Sequence, residues 1–262
     1  MHSARNFYGA LSVKEVEIDG KMERRLIDGT TSHGTQFVEP TEQHIPLSYY
    51  RANTGVALAF EVLAANNINA GFIGLGAGAL AAYGRKQDTF TFYELNPAVK
   101  AAAETYFTYL SDSKANVDIR LGDGRVSLQN ALDSQQEHDF NLLVVDAFSG
   151  DSIPQHLLTI EALSLYLAHL ADDGIIAFHI SNTHLDLRPL VLGLAQSENL
   201  LVAYFKTDGK HSGEHDTEWM WLTRDKNVLT HPKVKHLGLR MMANGSEVTW
   251  NDDFSPLISI LK

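Results

Sequence analysis

Cysteine is missing altogether from this 262-residue chain. That rules out disulfides, thiolate metal centres and a cysteine nucleophile, and it fits a reducing compartment. Positive charge is scarce: 21 Lys and Arg face 32 Asp and Glu, giving a formal net charge of -11, and the basic residues are scattered. A field of that sign opposes phosphate-backbone binding, so nucleic acid is not the expected partner, whereas a small cationic amine substrate is favoured. There is no apolar run long enough to span a bilayer and no secretory signal. The expected location is cytoplasmic, with no membrane contact by this chain itself; the other reading is the soluble part of a larger membrane-anchored protein. The 12 histidines are spread singly without HExxH-type spacing, so no metal is expected.

What is present suits one large α/β domain with a small appendage, since 44% of the residues are hydrophobic. Residues 6–38 lack helical periodicity and are broken by glycines. The pieces FYGALSVKEVEI, KMERRLIDG and GTQFV read as short antiparallel strands, with Asp19–Gly20 as a hairpin turn. The expected division is an N-terminal β appendage over residues 1–48 and a Rossmann-like domain over 49–262. The spacing of Val56, Ala59, Phe60, Leu63 and Ala64 predicts a helix within 49–66. Beyond it, near-continuous apolar runs starting at Gly71, Thr89, Val117, Phe140, Gly174, Leu201 and Glu218 alternate with helical segments. This pattern predicts a doubly wound, seven-stranded, mostly parallel sheet covered on both faces. The last two runs have no convincing helix between them, so one of them is expected to run antiparallel at the edge, carrying Trp219 and Trp221. The polar stretch 208–217, with His211 and His215, reads as a mobile loop.

Ligands of an open parallel sheet sit outside the carboxyl ends of its strands. The first run passes into AGFIGLGAG, whose Gly74, Gly76 and Gly78 suit a nucleotide-type cofactor loop leading into a helix, although tight packing alone also uses such glycines. The second ends in Glu94, a carboxylate placed to accept both ribose hydroxyls. At the third end, GDGR, Asp123 beside Gly124 either accepts from an adenine amino group or caps the next helix. The fourth, VVDAFSGDSIP, offers Asp146 and Asp151. Asp146 leaves a buried strand directly and can orient or deprotonate a bound amine, with helix capping as the bland alternative. His179 and Asn182 at the fifth end suit either substrate contact or capping. Four successive strand ends thus carry what a nucleoside cofactor needs.

Over nearly its whole length the chain resembles the spermidine synthase-like proteins of the polyamine aminopropyltransferase family. The matching text is NFYGALSV, HGTQF, GLGAGALAAYG, FYELNP, GDGR, VVDAFSGDSIPQHLLT, HISNTHLDL and WNDDFSPLISIL. The resemblance implies a methyltransferase-like sheet and, as co-substrate, decarboxylated S-adenosylmethionine or S-adenosylmethionine. By the same resemblance Gln36 lies near the nucleoside or sulfonium, Glu94 binds ribose, Asp123 faces adenine and Asp146 helps orient and deprotonate the attacking amine. Tyr49 or Tyr50 stands where the family has a tyrosine, but the His–Glu pair that follows it there is absent. Two further departures matter. Ala77 stands where spermidine synthases carry a loop Asp for the aminopropyl ammonium, and Ile153 stands where a second Asp precedes proline. The expected reaction is aminopropyl transfer to an amine such as putrescine. Methyl transfer to an unidentified acceptor is the first alternative, followed by NAD-type oxidation, since GLGAGA also satisfies G-x-G-x-x-A, and by a non-catalytic nucleoside-binding module. Oligomeric state stays open, with a homodimer among the options.

Overall fold

The computed structural model describes residues 2–6, 9–29, 31–64, 67–147, 154–211, 213–241 and 247–262. Four strands, β1 (His2–Asn6), β2 (Gly9–Ile18), β3 (Lys21–Asp28) and β4 (Thr31–Phe37), form an antiparallel sheet in chain order. The β2–β3 turn puts Asp19 at φ 51° and Gly20 at φ 76°, and Ile18 pairs with Lys21. Two successive positive φ values in a two-residue turn match the right-handed strand twist, which is why Asp-Gly serves there.

The remaining chain builds the main sheet: α1 (Gly55–Val62), β5 (Asn69–Ile73), β6 (Thr89–Glu94), α2 (Pro97–Tyr106), α3 (Tyr109–Asp112), β7 (Asn116–Leu121), α4 (Gly124–Asp133), β8 (Phe140–Val145), α5 (Ile160–Ala168), β9 (Leu170–His179), α6 (Arg188–Ser197), β10 (Leu201–Thr207), β11 (Thr217–Thr223), α7 (Lys226–Thr230), α8 (Pro232–Leu237) and β12 (Leu239–Met241). Its strand order is β12-β10-β11-β9-β8-β5-β6-β7. Seven strands form the mostly parallel sheet expected, and the three-residue β12 borders β10. One core packs α4, α5 and α6 against one face, and a second packs α1, α2, α7 and α8 against the other, which makes the sheet doubly wound. No helix among the described residues is long and apolar enough to cross a membrane.

The antiparallel strand is β11, and it is not at the edge. It lies between β9 and β10, antiparallel to both. A chain that returns without a crossover helix can pair only antiparallel with the strand it leaves, and here it enters the gap beside β9. Trp219, Met220, Trp221 and Leu222 on β11 are fully buried, so the tryptophans belong to the sheet interior and not to an edge. The polar loop before β11 is held at Asp208 and His215. Arg51, itself buried, donates to the carbonyls of Asp208 and His215, both at 2.7 Å.

The small sheet does not stand apart. Leu11, Val13 and Leu26 pack against Ala77, Ala102 and Phe107, bringing β4 against the turn after β5. That contact makes the N-terminal strands one wall of the site.

Candidate functional site

Strand order reverses at β5, which pairs with β6 on one side and β8 on the other. A cavity of about 610 Å³ opens there, at the carboxyl ends of the strands, and its wall includes residues from β3 and β4. An open α/β sheet places its ligand at this switch point.

The glycine turn shapes one side. Gly74 has φ 108°, and a Cβ there would lie 2.2 Å from the Asp146 carbonyl oxygen; Gly76 has φ 54°, and its Cβ would lie 2.3 Å from the His33 carbonyl oxygen. Any side chain at either position would push β8 or β4 away. Both glycines line the cavity. Gly78 does not: it packs against Leu110, outside the wall. The expected helix after the turn is a short 3₁₀ segment, Ala79–Tyr83. The loop therefore presents backbone and apolar surface to a ligand, without a long helix N-terminus behind it.

Ala77 is also absent from the wall. It is buried, its amide donates to the His33 carbonyl at 3.0 Å, and its Cβ abuts Gly34, where an added Cβ would come within 2.5 Å. The position that resembles the family's loop acid is filled by packing between the two sheets.

Glu94, at the end of β6, lies in the wall and is buried. Its carboxylate accepts from the Asn96 amide at 2.7 Å and the Leu75 amide at 3.2 Å. Burial raises its pKa above the ordinary value, while the amides of Asn96, Leu75 and Leu95 work against that rise. Asp123 caps α4, one oxygen accepting from the Val126 amide at 3.0 Å, while the other lies 2.8 Å from His156 Nε2; the residue also lines the cavity. Gly124 lies beside it in the wall, where a Cβ would crowd Ile73 at 2.8 Å.

Asp146 follows β8 and stands across the cavity wall from the small sheet. Its Oδ2 accepts from the Tyr50 hydroxyl at 2.7 Å, and its Oδ1 lies 2.7 Å from His179 Nδ1. Burial pushes this carboxyl upward, but the charge and hydrogen bond of His179, the Tyr50 hydroxyl and the charge of His33 outweigh it, so the pKa falls below the ordinary value. An ionised Asp146 with both oxygens engaged is the result. His179 Nε2 lies 2.8 Å from Ser181 Oγ, and its ring stacks on Trp219 at 4.6 Å and packs beside Tyr49 at 5.0 Å. Tyr49 in turn packs on His215 at 5.1 Å. Tyr49 and Tyr50 both line the cavity, and burial with the nearby Asp146 charge raises both phenol pKa values.

Of the residues singled out in the sequence, Tyr49, Tyr50, Gly74, Gly76, Glu94, Asp123, Gly124 and Asp146 share this wall. Gln36 does not. Its amide is spent inside the protein, donating to the Gln43 carbonyl and Thr108 Oγ1 at 3.0 Å each and accepting from the Thr108 amide at 3.1 Å, so it joins β4 to the start of α3. Asn182 lines the cavity, yet its side chain accepts from the His184 and Leu185 amides and shapes the turn after β9. Asp252 forms a two-pronged ion pair with Arg125, at 2.6 and 2.7 Å, and fastens the C-terminal segment outside the cavity wall. Asp151 and Ile153 lie outside the described residues.

Arg25, Asp28, Ser32, His33 and His215 also line the wall, and none of them was marked as a site residue by its sequence pattern. The motif HGTQF was visible, but no periodicity told its histidine from a surface one; only the packing of β4 on the glycine turn brings it to the cavity. Among the described residues no group of three or more His, Cys, Asp or Glu side chains could hold a metal ion.

No protein-family model matches the chain. Among curated proteins, a polyamine aminopropyltransferase from Vibrio vulnificus is 34% identical over 114 residues, covering 42% of this chain and 37% of that protein. An N-terminal histidine N-methyltransferase from Emericella nidulans is 36% identical over 115 residues, covering 42% of this chain and 19% of its own length. The chain therefore spans well under half of either relative. Among solved structures, a probable spermidine synthase from Corynebacterium glutamicum superposes with TM-score 0.63 at 14% identity, over 85% of this chain and 79% of that one. The spermidine synthase from Thermotoga maritima gives 0.52 at 16% identity, over 92% and 81%. Human methyltransferase-like protein 13, solved with SAH, gives 0.50 at 16% identity, over 68% and 87%. At such identities these structures speak for the fold, which is the methyltransferase-like one. Over 42% of its length the chain is similar in sequence to an aminopropyltransferase, and its fold is similar to that of spermidine synthases.

Proposed function

We propose that this spermidine synthase-like chain is a transferase that binds an S-adenosyl co-substrate in the 610 Å³ cavity and passes an aminopropyl group from decarboxylated S-adenosylmethionine to an amine such as putrescine. One observation carries the reading: the glycine turn, Glu94 and Asp146 meet in a single wall at the switch point of the sheet. In this assignment Gly74 and Gly76 let the nucleoside approach the backbone, Glu94 accepts the ribose hydroxyls, and Asp123 with Gly124 borders the adenine. The ionised Asp146, held by Tyr50 and His179, supplies the negative potential that draws and orients a cationic acceptor. Holding nucleophile and sulfonium in line is the larger part of such a reaction, because the leaving thioether needs no acid.

Incubation with decarboxylated S-adenosylmethionine and putrescine tests this. Spermidine and methylthioadenosine in equal amounts are expected; their absence at high enzyme concentration would refute aminopropyl transfer. Methyl transfer is the second reading, and Ala77 favours it. With Ala77 packed on Gly34, the glycine turn offers no acid to an aminopropyl ammonium, whereas intact S-adenosylmethionine brings its own carboxylate. A calorimetric comparison of the two co-substrates separates them: tighter binding of the carboxylated form points to methyl transfer.

A further inference from the structure

The glycine turn and the acids account for the nucleoside side of the cavity; the opposite wall comes from β4 and carries two polar atoms with no partner. Ser32 Oγ and His33 Nε2 are both buried without a hydrogen bond, and both residues line the cavity. Buried polar atoms are paired in the great majority of cases, so two orphans on neighbouring residues of one cavity wall call for a ligand that completes them. The wall is held in place. The His33 carbonyl accepts from the Ala77 amide at 3.0 Å, and the missing side chain of Gly76 leaves room for that same carbonyl. His33 is thereby tethered to the glycine turn.

Asp146, the obvious proton acceptor, has both oxygens occupied by Tyr50 and His179. His33 is different. Burial lowers its pKa even though Asp28 and Asp146 pull it upward, so the ring is neutral at physiological pH and free to take a proton. Arg25, Tyr49, Tyr50, His179 and His215 also line the cavity.

We propose that Ser32 and His33 form the acceptor subsite, with His33 Nε2 taking the proton that the acceptor amine must lose. This rests on the transfer reading above. The acceptor ammonium gives one proton to Nε2, freeing its lone pair. The nitrogen then bonds to the carbon beside the sulfonium as the C–S pair returns to sulfur, leaving a neutral thioether and a secondary ammonium. The imidazolium releases its proton to solvent.

Three variants test it: His33→Gln, which keeps a hydrogen-bonding side chain but does not titrate, His33→Ala and Ser32→Ala. Calorimetry with methylthioadenosine and the pH profile of product formation are the readouts. Nucleoside affinity is expected to stay within about threefold in all three, while His33→Gln loses about 100-fold in kcat, the scale of general-base assistance. Its kcat/KM profile should lose the acidic limb, and added imidazole should partly restore His33→Ala. For Ser32→Ala, KM for the amine should rise with kcat little changed. If wild type turns over and His33→Gln keeps both kcat and the acidic limb, the subsite assignment fails and the transfer reading stands. If wild type binds nucleoside but forms no product from either S-adenosyl donor with any amine, the transfer reading fails and takes this inference with it.

Discussion

At the scale of single residues, the site depends on carboxylates whose oxygens are already committed. In Asp146→Asn one amide face meets a donor, either the Tyr50 hydroxyl or His179 Nδ1, where the carboxylate accepted from both. We expect kcat to fall by about 100-fold with nucleoside affinity within a few-fold, since the damage is on the acceptor side. Glu94→Gln has the opposite signature. It sets an amide donor against the Leu75 or Asn96 N–H and removes a charged acceptor, so nucleoside affinity should drop about tenfold or more, in line with roughly 1.5–3 kcal/mol for a hydrogen bond to a charged group. Calorimetric titration checks both. The strand-end positions of Glu94 and Asp146 were legible in the sequence because each directly follows a buried apolar run. The network around Asp146 was not: Tyr50 and His179 lie 96 and 33 residues away and meet it only through the sheet. Gln36 shows the opposite failure, for a motif match says nothing about where an amide spends its hydrogen bonds.

At the scale of elements, the small sheet belongs to the site because Leu26 of β3, fully buried, packs with Leu11 and Val13 toward Ala77 and Phe107. Leu26→Ala should destabilise the protein by about 2–5 kcal/mol. It should also weaken nucleoside binding although no atom of Leu26 lines the cavity, because β4 would lose its seat on the glycine turn. Denaturant unfolding alongside calorimetry decides; a stability loss with unchanged affinity would show that β4 holds its place without this core. The strand–helix alternation was readable from run length and apolar character. The insertion of β11 beside β9 was not, since a hairpin-like connection looks the same whether its second strand ends at an edge or fills a gap. Full burial of both tryptophans is what distinguishes the two.

At the scale of the whole molecule, acid lability follows from histidines buried in their neutral form. His138 has its pKa pushed down to about 4 by burial and by the charges of His169 and Arg120, and burial lowers His33, His169 and His215 as well. His169 Nδ1 accepts from the His138 amide while its Nε2 lies 2.9 Å from the Leu128 carbonyl, so a second proton would break the first bond. A base whose folded pKa lies below its unfolded value binds protons better when unfolded. Stability is therefore fully present above the unfolded value of about 6.5 and declines as pH falls, for His138 over the window from about 6.5 to about 4. The depressed carboxylates Asp146, Asp88 and Asp186 act in the same direction but only below their ordinary value, near pH 3.8. The urea midpoint should thus fall between pH 7.5 and 5.5, and His169→Gln should lessen that fall; a midpoint that holds or rises on acidification contradicts the assignment.

The central claim is that the cavity at the β5 switch point receives an S-adenosyl nucleoside through Glu94. Calorimetric titration of the wild-type protein and Glu94→Gln with methylthioadenosine and S-adenosylhomocysteine tests it most directly. Saturable one-to-one binding of at least one of the two by the wild type is expected, weakened about tenfold or more in the variant. Absence of binding by both nucleosides, or affinity that Glu94→Gln leaves unchanged, would contradict it.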